Sequence, residues 1–157
     1  CDWSSDVCSS DLLRVPSLAQ RRVELPRIAV ALARRCAAEE GVASVQLDDS
    51  ALAMLWRQAW PGNLRELENF LFQVALMHAG SSVGADDLER TARRVGVELV
   101  RRVPSRQPDP ELVRAALVTT ANQRGSVNKT RAALYLGWDP DTLASRMAEL
   151  GPSSAPA

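Results

Sequence analysis

Apolar residues recur at helical spacing along most of the chain. Leu25, Ile28, Ala29, Leu32 and Cys36 share one face of a segment from Leu25 to Glu40, as an amphipathic helix requires. Pro26 suits its first turn, where a missing N–H costs nothing, and Gly41 is a natural stop. Val42–Leu47 is short and open to an extended reading. A second helix is expected after Asp48, a good N-cap, with Leu52, Leu55 and Trp56 as its buried stripe. It stops before Trp60-Pro61-Gly62, where proline and glycine punctuate the chain. Asn63 is expected to cap a third helix, with Glu66 completing a capping box. Leu64, Leu67, Leu71, Val74 and Ala75 line that helix to about Ala79, and Gly80 ends it. A fourth helix follows from about Asp86, with Leu88, Ala92 and Val95 on one side.

Residues 100–109 carry Arg101, Arg102 and Arg106 together with Pro104 and Pro108, and read as a linker. Asp109 then caps a helix with Pro110 at its first position and Leu112, Ala116 and Leu117 on its face. Residues 123–127 form a loop. Asn128 to Leu136 is a short helix, Gly137-Trp138-Asp139 a turn, and Asp141 to Leu150 a last helix. The tail 151–157 has no means of building a core.

Composition agrees with an all-α fold. Apolar residues make up 46% of the 157 and aromatics 4%. Leu, Ala and Arg dominate, which favours helix over sheet. Basic and acidic residues balance at 19 each, so any nucleic-acid role must rest on local patches. No apolar run reaches the ~20 residues of a membrane span, and no signal-peptide pattern opens the chain. A cytoplasmic location is therefore expected. Cys1, Cys8 and Cys36 give an odd count and a poor zinc spacing. No metal site is expected.

Residues 1–12, CDWSSDVCSSDL, show neither helical nor strand periodicity. They resemble a translated sequencing-adapter fragment, the alternative being a genuine disordered terminus. In either case they are set aside from fold reasoning. Residues from Leu13 onward then begin inside a domain, and an upstream part of the protein is expected to be missing.

The Trp60–Asn63 turn is the most specific local signal. Proline fixes one φ, glycine permits a positive φ, and asparagine can satisfy helix N–H groups. Arg65 projects from the first turn that follows. A cation there opposes the helix dipole, so the placement suits an external anion such as a nucleotide phosphate. The alternative is that Arg65 pairs with Glu66 or Glu68 on a solvated face, with Trp56 and Trp60 simply in the core.

WPGNLREL at 60–67 closely resembles the WPGNVREL signature of the sigma-54-dependent AAA+ transcriptional activators, the bacterial enhancer-binding proteins. The upstream LRVPSLAQRRVELPRIA is similar to that family's LPPLRERREDIPLLA: Leu18, Arg21, Arg22 and Pro26 match, while Ser17, Ala19 and Glu24 depart. The resemblance implies a four-helix AAA+ lid over residues 13–99 and makes Arg65 the sensor arginine that reads bound ATP.

NKTRAALYLGWDPDTLASRMAEL resembles the Fis-type helix-turn-helix that ends many of these activators, a three-helix domain over residues 110–150. Ala132 and Ala133 let two helices cross closely, Gly137 provides the turn, and Leu136 and Leu143 pack on either side. Asn128 caps the first of these helices, Lys129, Thr130 and Arg131 at its start can reach phosphates, and Thr142, Ser145 and Arg146 on the last helix would touch DNA; all seven, Asn128 included, form the expected DNA-binding set. Here the chain departs from the family: Asp139, Pro140 and Asp141 replace basic residues, and Ala144 and Met147 stand for Tyr and Lys. The net charge over 110–150 is only about +1, weak for a DNA binder.

What an ATPase needs is missing from these 157 residues. There is no G-x-x-x-x-G-K-[ST] loop, no GAFTGA loop and no strand ending in paired acids for Mg2+. No catalytic residue is assigned. The chain alone is expected to be neither an ATPase nor a tight ATP binder, whereas a longer parent would use ATP with Mg2+. The resemblance implies enhancer DNA as partner, sigma-54 RNA polymerase through the missing core, a homodimer through the terminal helices and a hexamer or heptamer of the parent. A stand-alone DNA-binding regulator and a helical dimerisation module without ATPase coupling are the alternatives. His78, the only histidine, reads as a capping or surface residue, and Cys36 as a small buried apolar group.

Overall fold

The computed structural model describes residues 16–99, 109–121 and 126–150. The expectations for the first twelve residues, for 100–108 with Arg101, Arg102 and Arg106, and for the tail from 151 lie outside the described residues.

A short 3-10 turn, Arg22–Glu24, leads into α1, Leu25–Glu39. Then come β1 (Gln46–Leu47), α2 (Asp49–Arg57), α3 (Asn63–Met77), β2 (Ser82–Val83) and α4 (Ala85–Val95). Further along the chain lie α5 (Pro110–Thr120), α6 (Lys129–Leu136) and α7 (Pro140–Leu150). The fold is mostly helical, as expected. Besides the helices, the described residues hold a minimal parallel pairing, Gln46 with Ser82 and Leu47 with Val83, and an isolated antiparallel bridge between Ala121 and Val127. The parallel pairing has a physical cause. The connections before α2 and α4 run side by side over buried Val45 and Val83, and their backbone groups need partners there. Gln46 N–H donates to Ser81 at 3.0 Å and Asp48 N–H to Val83 at 3.1 Å.

Local chemistry sets most helix starts. The Asp48 carboxylate accepts from Ala51 N–H at 2.8 Å, Asp109 from Glu111 N–H at 3.0 Å, and Asn128 from Arg131 N–H at 3.1 Å. Gly96 and Gly137 close α4 and α6 with φ of 72° and 71°, a region that side chains disfavour.

α1 to α4 enclose one core. Leu25, Ala29, Leu55, Leu67, Leu71, Val74 and Leu88 are all at most 1% exposed. Each buried leucine contributes roughly 1.5–3 kcal/mol. Cys36 lies in this core, as expected, and burial pushes its thiol up from the ordinary value. A second cluster joins Val113, Leu117, Ala132, Ala133 and Leu143 across α5, α6 and α7. The face of α5 is shifted from expectation: Val113 is fully buried and Leu112 only partly. Helix α5 packs on two sides, against α6 and against the 3-10 turn. Ala116 and Tyr135 accordingly belong to the first core, so the two clusters meet.

Candidate functional site

The turn before α3 is built differently from the sequence expectation. Its positive φ values fall on Trp60 (47°) and Asn63 (54°), not on glycine. Gly62 has φ −81° and is the N-cap. Glycine is needed there because a Cβ would lie 2.8 Å from Cβ of Glu66. Glu66 does reach back, its carboxylate accepting from Gly62 N–H at 2.8 Å. Asn63 does not cap α3. Its side-chain oxygen accepts from Leu18 N–H at 3.0 Å, which staples the N-terminal segment to the turn. Trp60 is 3% exposed, donates from its indole to Leu55 O at 2.8 Å, and packs at 6.0 Å from Phe70.

This turn delivers Arg65 to the first turn of α3, exposed to solvent. Arg65 lines an open pocket of about 590 Å³ with Gly62, Glu66, Asn69, Phe70 and Gln73 on α3 and with Val95 and Val97 at the end of α4. Neither acid proposed as its partner is available. Glu66 is held by Gly62, and Glu68 pairs with Arg35 of α1. Among the described residues Arg65 has no hydrogen-bond or ion-pair partner. Trp56 and Trp60 are core residues, as that alternative held.

The second group of candidates sits on α6 and α7, two packed helices. Asn128, Lys129 and Thr130 are exposed at the start of α6. On α7, Thr142 and Ser145 are exposed and Arg146 is half-buried. The Ser145 hydroxyl donates to Asp141 O at 3.0 Å. Asp139 precedes Pro140 in the N-cap position of α7, its carbonyl accepting from Leu143 N–H at 3.1 Å. One of its roles is therefore helix initiation.

Arg131 stands apart. It turns toward α2 and pairs with the Asp49 carboxylate at 2.5 Å. One turn further along α6, Tyr135 is 1% exposed and meets Trp56 edge-on at 5.7 Å. Burial pushes the Tyr135 hydroxyl up from its ordinary value, and the Arg131 guanidinium offsets part of that shift. On its other side Trp56 carries Arg22, whose guanidinium lies 5.5 Å from the ring. Periodicity along single helices gave no sign of this seam, since Arg131 and Asp49 lie 82 positions apart and Trp56 and Tyr135 are nearly as distant. His78 takes the C-cap position of α3, in line with its expected capping role. Its ring nitrogen lies 3.0 Å from the hydroxyl of buried Thr91 on α4. Among the described residues no cluster of metal-ligating side chains occurs, and no helix is long and apolar enough to cross a membrane.

Comparison with known proteins bears out the resemblance. Residues 19–100 match the AAA+ ATPase lid domain. The chain is 32% identical to the DNA-binding transcriptional regulator NtrC of Klebsiella pneumoniae, over 88% of this chain and 34% of that protein. It is 30% identical to the Nif-specific regulatory protein of Azotobacter vinelandii, over 88% of this chain and 27% of that protein. The chain thus spans about a third of the length of the curated relatives it matches. Among solved structures, NtrX from Brucella abortus in complex with ADP is similar, with TM-score 0.51 and 26% identity over 88% of this chain and 34% of that one. With more than half of its residues matched by the lid model, the chain belongs to the AAA+ ATPase lid domain family.

Proposed function

We propose that this chain is the lid and DNA-binding end of a sigma-54-dependent AAA+ transcriptional activator acting in the cytoplasm. In this reading residues 13–99 are the four-helix lid, 100–109 a linker and 110–150 a Fis-type helix-turn-helix. Arg65 senses the nucleotide held by a core that these 157 residues do not contain. Asn128, Lys129, Thr130, Arg131, Thr142, Ser145 and Arg146 form the DNA-contacting set. The observation that carries the reading is the setting of Arg65. A strained turn places a cation at a helix N-terminus beside an open pocket, and both nearby acids are engaged elsewhere. An unpaired cation at that end of a helix suits an anion supplied from outside.

The α6–turn–α7 unit supplies the second half. α6 ends in a left-handed Gly137, α7 starts three residues later at Pro140, and Leu143 locks the pair. Exposed polar side chains at the start of α6 suit phosphates, and α7 is the reader of the groove. ATP with Mg2+ belongs to the longer parent, where the core would also supply polymerase contact and hexamer or heptamer assembly. Homodimerisation through the terminal helices would match a palindromic enhancer.

The test is duplex binding by the chain over a series of salt concentrations. Wild type binds with an affinity that falls steeply with salt, and Lys129→Ala and Arg146→Ala each weaken it and flatten the slope by about one counterion. Absence of salt-dependent binding would leave only a dimerisation module.

A further inference from the structure

We propose that the first turn of α6 is a shared surface, on which the lid and a DNA phosphate compete for Arg131. When the terminal helices are docked, the Asp49 carboxylate holds Arg131; when DNA binds, a phosphate takes its place and the contact with α2 opens. The proposal rests on the reading of α6 and α7 as a DNA-binding unit.

The docked contact is specific. Arg131 reaches across 82 positions of sequence to Asp49 at 2.5 Å. Tyr135, on the same face of α6, is buried against Trp56, and Ala116 of α5 lies in the lid core. The ion pair is therefore anchored by apolar packing on both sides.

The contact is also reversible in character. Both partners remain accessible, with side chains 40% and 53% exposed, so an external anion can reach Arg131. A carboxylate oxygen and a phosphate oxygen are the same class of arginine ligand. A guanidinium held at 2.5 Å by one cannot offer the same N–H to the other. Asp49 also sets a negative charge where a phosphate would approach, and like charges there exclude each other. The seam is incompletely satisfied. Among the described residues, the buried side-chain donors that lack an acceptor are Trp56 Nε1 and Arg131 Nε, and both lie in it. Undocking exposes both to water, so release recovers solvation that docking gives up.

The experiment measures binding of a labelled mixed-sequence duplex of about 30 base pairs, where phosphate contacts dominate. The proteins are the whole chain, Asp49→Asn, Arg131→Ala, the double variant, and Asp86→Asn. The last makes the same charge change on another exposed first-turn aspartate. Asp49→Asn is expected to tighten binding roughly 3- to 10-fold, and Asp86→Asn less than about 2-fold. In the Arg131→Ala background, Asp49→Asn is expected to give no gain. A parallel hydrogen-exchange measurement is expected to show faster exchange at the start of α2 when duplex is added to wild type.

Equal gains from Asp49→Asn and Asp86→Asn would overturn the competition, leaving only a general charge effect. Wild-type binding unchanged by Asp49→Asn, with Lys129→Ala still weakening it, would sink the competition and leave the DNA-binding reading standing. No salt-dependent binding by any form would overturn both.

Discussion

The side-chain oxygen of Asn63 accepts a hydrogen bond from Leu18 N–H, 45 residues earlier, while Asn63 itself holds a φ of 54°. One residue thus fixes the shape of the turn that carries Arg65 and ties the N-terminal segment to it. Two contributions are separable. The bond is worth about 1 kcal/mol, and a left-handed backbone costs a residue with a Cβ roughly 1–2 kcal/mol relative to glycine. Asn63 already bears that backbone cost, so Asn63→Ala should lose the bond alone, about 1 kcal/mol, whereas Asn63→Gly loses the bond but relieves the strain and should be about neutral. Urea unfolding of the two variants measures this, and equal losses would refute the division.

Trp56 and Tyr135 form the aromatic centre of the lid–terminal seam. An edge-on pair contributes about 0.5–1.5 kcal/mol beyond its burial. A double-mutant cycle with Trp56→Leu and Tyr135→Leu should show coupling of that size between residues 79 positions apart. Additivity within error would mean that the two helices are not packed together in solution.

The caps show how much of this was legible. Asp48, Asp109 and Asn128 bond to N–H groups two or three residues ahead, so the sequence carries everything that decides their roles. Asn63 has the same residue type in the same local pattern, yet its oxygen goes to Leu18. Leu18 lies 45 positions away, so nothing within a helical turn encodes that choice. The core faces of α1 and α3 were largely readable because each buries one stripe, although Leu64 at the start of α3 is exposed; α2 is buried continuously from Ala51 to Trp56, well beyond its expected stripe. α5 packs on two sides, so its single expected stripe was displaced onto Val113. At the site, Arg65 was identifiable from the turn and the family signature. Its lack of an acidic partner was not, because Glu68 is taken by Arg35 from another helix. Arg131 was read only as a phosphate contact, since Asp49 is distant in sequence.

Asp87 gives the fold an acid-sensitive element. Its carboxylate accepts from Gly84 N–H at 2.9 Å and also pairs with Arg90, and these hold it below the usual carboxylate range, the backbone bond contributing most. Because the folded group titrates below the unfolded one, its contribution is present above the unfolded pKa. It is lost as pH falls through the unfolded and then the folded value. Removing a capping group of this kind costs about 1 kcal/mol. Asp87→Ala should therefore lower stability by about that much near pH 7, and the gap to wild type should close as pH falls below the ordinary carboxylate range. Thermal melts across that range test this; a gap independent of pH would assign the loss to something other than the carboxylate.

Arg65 makes two demands that a structural surface arginine would not. It is exposed and has no partner among the described residues, so Arg65→Ala should leave the stability of this chain within about 0.5 kcal/mol of wild type. In a longer protein that includes a nucleotide-binding core, the same change removes the cation that the turn aims at the pocket. ATP turnover should then fall by at least about 10-fold, the loss of one charge-assisted hydrogen bond of about 1.5–3 kcal/mol. Arg65→Lys keeps the charge but not the planar fork, and should recover only part of the rate. Duplex binding should be unchanged in both variants, because α6 and α7 are untouched. Urea unfolding, steady-state hydrolysis and anisotropy on one set of proteins separate the outcomes. A stability loss above about 1 kcal/mol would make Arg65 a structural residue, and normal turnover would remove it from the nucleotide site.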